Sequence, residues 1–413
     1  MNSRDFPTPQ PPQPTPSEVE SLLCLARDSG LKSWQLHDRE LIPIVQGGMG
    51  VGVSAGGLAG TVARLGAVGT VSSVDLRRLH PDLMEKTTHA AHRPNGRELL
   101  DQVNLEALDR EIKKARQISQ GNGLIAVNIM KALSAYDIYV KQALESGADA
   151  IVVGAGLPLD LPDLAQDHPD TALIPILSDA RGVQLVIKKW ERKGRLPDAI
   201  VIEHPRLAGG HLGAAKISDL GDQRFEFEEV IPAVLKFLQE AGIAKTIPLI
   251  AAGGICCKED IERLQGLGAS AVQLGTAFAV TLESDAAPEF KQVLAQAEPK
   301  DIVEFTSVAG LPARAVRTPW LEKYLRIEDK LKSVAHLKQK GCNLALDCLA
   351  HCGLRDGVAT MGQFCIDRQL GHALAGDTDR GLFFRGAGKL PFGNQIRSVQ
   401  DLMTCLLGGL KAA

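Results

Sequence analysis

Eight short apolar runs recur along the chain, at residues 41–45, 67–71, 124–128, 150–153, 173–177, 199–202, 247–251 and 271–274. None alternates strictly with polar residues. Continuous short apolar runs are the pattern of strands buried on both faces, as in a parallel sheet. Stretches with helical periodicity follow most of them, at 58–65, 105–118, 136–146, 183–192, 227–239, 258–264 and near 289–296. Eight β/α units over about 250 residues predict a (β/α)8 barrel, the α/β fold known as a TIM barrel. An open doubly wound sheet is the competing arrangement. It lacks support because no Gly-x-Gly-x-x-Gly lies between the first strand and its helix; Gly50-Val-Gly52 is only a fragment of that pattern.

Outside the barrel the pattern changes. Residues 1–17 are rich in proline and polar side chains, which predicts a disordered leader, and 17–39 holds a short amphipathic helix ending near Gly30. Residues 75–98 are polar and basic with no strand pattern, a long excursion placed to act as a lid over the barrel mouth. After Lys300 the β/α alternation stops. Residues 322–339 read as a charged helix, 342–365 are cysteine-rich, 371–393 are rich in glycine and charge, and 399–407 read as a last helix. The expected division is therefore 1–40 leader and short helix, 41–320 barrel, and 321–413 a helical, cysteine-rich C-terminal extension.

Composition narrows the classes. The net charge of −3, from 46 basic and 49 acidic residues, gives no reason to expect nucleic acid or an anionic membrane as partner. Three tyrosines and three tryptophans make no stacking platform for bases. No apolar run is long enough to span a bilayer, and the leader lacks the basic-then-apolar order of a signal peptide, so a cytoplasmic location is expected. In that reducing compartment the eight cysteines are not expected to form structural disulfides.

In a barrel the chemistry sits on the loops that follow the strands. Here five of the eight carry glycine, so one rim is bare of side chains. Ala251-Ala-Gly-Gly254 after the seventh strand and Leu274-Gly-Thr276 after the eighth stand where backbone N–H groups can face a phosphate, with the Thr276 hydroxyl as a further donor. After the sixth strand, Ala208-Gly-Gly-His-Leu-Gly213 lets backbone approach a flat ligand at Gly209 and Gly210 and sets one imidazole, His211, beside it. Histidine is suited to proton transfer near neutral pH. One phosphate, one flat ring and bare backbone fit flavin mononucleotide (FMN).

Seven segments together resemble a known family. They are Ile42-Pro-Ile-Val-Gln-Gly-Gly-Met49, Val127-Asn-Ile-Met130, Val153-Gly-Ala-Gly156, the Gly-Gly-His loop, Ile247-Pro-Leu-Ile-Ala-Ala-Gly-Gly-Ile255, Val272-Gln-Leu-Gly-Thr276 and Gly310-Leu-Pro-Ala-Arg314. Over residues 41–320 the chain looks like the nitronate monooxygenases and the FMN-dependent enoyl-acyl-carrier-protein reductases. The resemblance implies non-covalent FMN, with His211 as the histidine nearest the flavin. It implies Met49 against the ring, Asn128 on the ring or ribityl chain, Gln273 near the ring, and Gly253, Gly254, Gly275 and Thr276 at the phosphate. Gln46, Gly47, Gly48, Gly209 and Gly210 complete the expected cofactor-binding set. The 75–98 excursion is longer than the family pattern, and the segment beyond Glu322 matches neither type of member.

Cys342-x5-Cys348-x3-Cys352-x12-Cys365 gathers half of the cysteines in 24 residues. Such a group suits a 4Fe-4S cluster or a structural zinc, or else the four are free buried thiols. Its trailing three cysteines resemble the cluster segment of the 2,4-dienoyl-CoA reductase and trimethylamine dehydrogenase flavoproteins; the first spacing departs from that pattern. Cys256 and Cys257 read as helix-start residues. Glu203 and His204 end the sixth strand, where either could line the pocket. His80, His89 and His92 are expected to be exposed, and Arg314 and Arg317 to form surface salt bridges or to meet an acidic substrate group.

The resemblance implies an FMN-dependent oxidoreductase of the nitronate monooxygenase type, which oxidises nitronates with O2. The alternative is an enoyl-thioester reductase fed by NAD(P)H or by an electron-transfer protein, in which His211 serves the thioester enolate. A non-enzymatic flavin or metal sensor is a third class, and the intact His211 loop argues against it. The expected partners are a small-molecule or acyl-thioester substrate and, as candidates, an electron carrier and a second copy of the chain.

Overall fold

The computed structural model describes residues 16–243, 247–338, 342 and 347–412. Most of the expected leader, residues 1–15, lies outside the described residues. The first helix, Pro16–Asp28, stands where the amphipathic pattern placed it.

Strands β1 (Trp34–Leu36) and β2 (Arg39–Leu41) form an antiparallel hairpin. Eight parallel strands then close a barrel: β3 (Ile44–Gln46), β4 (Val68–Ser72), β5 (Leu124–Met130), β6 (Ala150–Gly154), β7 (Ala172–Leu177), β8 (Ile200–Glu203), β10 (Leu249–Ala252) and β11 (Ala271–Leu274). Outside the barrel, β9 (Gly210–His211), β12 (Ile302–Thr306) and β13 (Pro312–Val316) form a second, three-stranded sheet. The (β/α)8 expectation holds. Its first strand differs, because Leu41 belongs to the hairpin and the barrel strand begins at Ile44.

The strands are apolar throughout because both faces are covered. Val45, Val68, Ala126, Val152, Ile174, Val201 and Ile250 fill the barrel interior, while neighbours such as Ile44, Val71, Ile125 and Val127 pack outward under the helices. Trp34, Leu36 and Leu41 join the interior cluster, so the hairpin plugs the barrel at the end opposite the catalytic rim. The Trp34 indole donates to the Ile42 carbonyl at 3.1 Å, which satisfies its one buried polar atom.

The 75–98 excursion holds no strand, as its pattern predicted. It folds into short helical turns and a helix, Pro81–Thr87, packed on the long helix Gly96–Ser119. His80 is half-buried, its Nε2 3.0 Å from a carboxylate oxygen of Glu111, which corrects the expectation of an exposed histidine. Arg78 bridges Asp75 of the excursion and, at 2.7 Å, Asp367 of the C-terminal extension. The extension lies against the barrel mouth: Ala350 N–H donates to the Ala132 carbonyl, and Arg385 N–H to Arg314 O. Among the described residues no helix is long and apolar enough to cross a membrane.

Glycine sets how closely the helix Gly56–Arg64 lies on β4. A Cβ on Gly69 would stand 1.8 Å from the Ala59 carbonyl oxygen. The helix cannot retreat freely, because Asp285 accepts the N–H groups of Ala55, Gly57 and Leu58, and Glu111 accepts that of Gly56. Gly69→Ala is therefore expected to destabilise the fold by about 1–3 kcal/mol, the usual effect of overpacking. Denaturant titration checks this, and an unchanged midpoint would show that helix and strand adjust without strain.

Candidate active site at the barrel mouth

A cleft of about 300 Å³ opens at the C-terminal ends of the barrel strands. Gly47, Gly48 and Met49 enter it from the loop after β3, Asn128 from β5, Glu203 from β8, and Gly209, Gly210 and His211 from β9 and the turn before it. Gly253 and Gly254 follow β10, and Gln273, Gly275 and Thr276 come from β11 and its loop. The structure thus brings together every expected cofactor residue except Gln46. That side chain is fully buried and turned into the barrel wall, where it donates to Thr70 O and accepts from Thr70 N–H at 2.8 Å, locking β3 to β4.

Bare backbone is required at this rim. A Cβ on Gly48 would fall 2.3 Å from the Asn128 Cβ. Gly254 has φ +77° and a Cβ there would meet Leu207 at 2.7 Å, so both conformation and space demand glycine. The Thr276 hydroxyl accepts the Gly386 N–H at 3.0 Å, which leaves its own proton free to donate into the cleft.

The Gly-Gly-His segment is a strand, not a free loop. Gly210 and His211 pair with Arg314 and Ala313 of β13, and Leu212 N–H donates to Pro312 O at 2.8 Å. Beneath it Arg314 is 2% exposed and donates to the carbonyls of Pro205 and Ala208 and to Glu304. Arg314 does form a salt bridge, to the exposed Glu304, but its own side chain is buried and does not line the cleft. It is a buried strut that holds the turn before His211.

The His211 ring lies 5.7 Å from the Phe384 ring, and its Nε2 is buried with no hydrogen-bond partner among the described residues. Burial pushes its pKa down to about 4, so the imidazole is neutral at pH 7. Glu203 moves the other way: burial raises its carboxyl to about 7, with Arg314 opposing the shift. His204, the other candidate at that strand end, turns away from the cleft to Glu226 at 3.2 Å and packs edge-on against Phe227.

The unforeseen part of the site comes from the extension. Phe384, Arg385, Gly386, Gly388, Lys389 and Leu390 line the same cleft. Their segment had stood out only as rich in glycine and charge, and no periodicity points from it to a barrel 100 residues earlier. Cys348 also lines the cleft. Cys352 and Cys365 stand at the starts of the helices Gly353–Asp356 and Ile366–Leu374. The thiols of Cys342, Cys352 and Cys365 lie near enough to raise that of Cys348 further, beyond the effect of burial and of Asp367. Around one zinc ion, sulfurs sit roughly 4 Å apart. Among the described residues only Cys256, Cys257 and Asp260 bring their ligand atoms within 4.8 Å of one another, so the four clustered sulfurs are not drawn up for a single ion. Asp260 is itself engaged as a helix cap, accepting the Cys256 N–H at 2.8 Å, which agrees with reading those cysteines as helix-start residues.

The sequence profile of the nitronate monooxygenase family matches residues 34–409. The chain belongs to the nitronate monooxygenase family. It is an FMN-dependent oxidoreductase. The match runs through the extension, which corrects the expectation that likeness to the family stops near Trp320. A probable nitronate monooxygenase of Bacillus subtilis is 27% identical over 298 residues, covering 69% of this chain and 79% of that protein. One from Staphylococcus saprophyticus is 25% identical, over 70% of this chain and 79% of its own length. Two solved structures share the fold: FabK from Thermotoga maritima (TM-score 0.60, 24% identity, 89% of this chain and 92% of that one) and a nitroalkane oxidase from Streptomyces ansochromogenes (TM-score 0.58, 20% identity, 89% and 95%).

The depressed His211 pKa has a consequence for this family member's stability. As pH falls, the unfolded chain protonates His211 near its ordinary 6.5, while the folded protein resists until about 4. Its contribution to stability is therefore complete above pH 6.5 and is lost on going down to about 4. His211→Gln is expected to flatten that part of the stability profile. Denaturant titrations of the flavin-free protein at a series of pH values measure it, and parallel wild-type and variant profiles would contradict the burial of the ring.

Proposed function

We propose that this chain oxidises nitronates with O2, using FMN at the barrel mouth and His211 to hold or move the proton at the substrate carbon. The observation that carries the reading is the placement of His211: a neutral imidazole on the wall of a cleft whose rim carries the glycine pairs 47–48, 209–210 and 253–254. A neutral imidazole can accept a proton, and a closed apolar wall strengthens its interaction with a nearby anion.

The residues present fit FMN. Gly253, Gly254, Gly275 and the free hydroxyl proton of Thr276 suit its phosphate, while Met49, Asn128, Gln273, Gly47 and Gly48 suit the ring and its chain. When bound, the flavin supplies the acceptor for substrate electrons and passes them on to O2. Gly209 and Gly210 would let backbone approach the ring, and Arg314 and β13 hold His211 in one position on the rim. His211→Ala is expected to keep its flavin and to lose roughly 10²–10⁴-fold in turnover. Oxygen uptake with an alkyl nitronate, alongside the flavin absorbance of the purified variant, is the measurement. Wild-type turnover in the variant would remove His211 from the chemistry.

The alternative, reduction of an enoyl thioester with electrons from NAD(P)H or a protein donor, draws support from Cys348, a thiol on the cleft wall. In that reading Cys342, Cys348, Cys352 and Cys365 hold a 4Fe-4S cluster, whose cube keeps its thiolates wider apart than one zinc ion does. Protein purified without oxygen is expected to contain about four irons and four sulfides per chain. Cys352→Ser is expected to lose the iron and keep FMN. Stoichiometric zinc, or no metal, would return the four cysteines to packing roles. Bleaching of the flavin by NADH or NADPH, rather than by a nitronate, would favour the reductase.

A further inference from the structure

One strong cation in the cleft has no anion. Arg385 is 5% exposed and comes from the extension, not the barrel. Its Nε donates to Leu294 O at 2.9 Å, and its Nη1 to the carbonyls of Gly386 and Gly388 at 2.8 and 3.3 Å. These are carbonyls, and no carboxylate pairs with the guanidinium among the described residues. Its Nη2 has no partner there. Burial pulls its pKa below the ordinary value with nothing opposing, whereas buried Arg78 has two carboxylates holding its own up. Arginine keeps its proton in a protein, so the charge stays and remains uncompensated. A buried charge in that condition is costly unless a ligand supplies the opposite sign.

The position says which ligand atom. Arg385 lies on the stretch that touches both glycine loops expected at the phosphate: Gly386 N–H donates to Thr276 Oγ1, and a Cβ on Gly388 would stand 3.1 Å from the Gly254 Cα. A phosphate monoester seated on Gly253, Gly254, Gly275 and Thr276 faces this segment. Lys389, exposed on the same stretch, makes no ion pair among the described residues and borders the opening.

We infer that the C-terminal extension completes the phosphate site, with the Arg385 guanidinium bound to the phosphate of FMN and the Lys389 ammonium at its outer edge. The inference rests on the flavin reading of the cleft and goes beyond it, since the extension becomes part of the cofactor site. A competing role is available: the carbonyl of Leu294 lies near the end of the helix Pro288–Gln296, and an arginine there can serve only to satisfy helix and loop carbonyls.

Riboflavin separates the two, because it carries the ring and ribityl chain without the phosphate. Flavin-free protein is titrated with FMN and with riboflavin, following quenching of flavin fluorescence, and thermal melting confirms folding. For Arg385→Met the FMN dissociation constant is expected to rise roughly 10- to 100-fold, as for loss of a charge-assisted hydrogen bond, with riboflavin binding unchanged. Arg385→Lys keeps the charge but not the fork, and is expected to lose less, again for FMN alone; it serves if the methionine variant fails to fold. Lys389→Met is expected to show a smaller loss of the same kind. Equal weakening of both flavins would make Arg385 a strut and overturn the inference, as would unchanged FMN binding in Arg385→Met or, should that variant not fold, in Arg385→Lys. Failure of the wild type to bind either flavin would instead overturn the cofactor reading itself.

Discussion

The site depends on one strand pairing made outside the barrel. Gly210 and His211 leave the end of β8 on a turn and are captured by β13, with Arg314 buried under the turn. Without that pairing, two glycines would leave His211 on a freely moving segment, since glycine surrenders most conformational freedom on folding. With it, the imidazole is held at one place on the cleft wall. The tolerance for glycine at the rim, which a cofactor needs for close approach, thus depends on stiffness supplied from 100 residues further along the chain.

Burial drives two titratable groups of the cleft wall in opposite senses, the His211 imidazole on β9 down to about 4 and the Glu203 carboxyl at the end of β8 up to about 7. Each shift favours the neutral form. The cleft wall near the histidine is consequently poor in fixed charge, which suits a flat conjugated ring. Charge is concentrated elsewhere: Arg385 beside the glycine loops after β10 and β11, and the Asp75–Arg78–Asp367 network where the excursion after β4 meets the extension. That network lies beside Cys348, so the cysteine-rich segment adjoins both the cleft and a set of buried charges.

The extension is therefore continuous with the working part of the molecule. It covers the mouth with Phe384 and Leu390, shares backbone hydrogen bonds with β13 and with the turn at Leu207, and places Cys348 on the cleft wall. The match of the family profile through residue 409 agrees with this arrangement.

The amino-acid sequence by itself determined the barrel and most of its rim. Eight short runs without polar alternation can be satisfied only where both faces are covered, and glycine after a strand marks where backbone must come close to something. Those signals are local, and they located His211, Asn128, Gly254 and Thr276 before any fold was known. The hairpin 34–41 escaped because its strands are three residues each, too short for periodicity to register. Gln46 was misplaced because a strand residue's facing depends on register, and here it turns to Thr70 in the next strand. Only the tertiary structure decided the surroundings of Arg314, Arg385 and His80, and the shifts of His211 and Glu203. Whether an arginine is a surface charge, a strut or an anion site is settled by what surrounds it, and those surroundings come from segments far away in the chain. The same holds for a pKa, which follows the burial and charge assembled around a group and not the residues beside it in sequence.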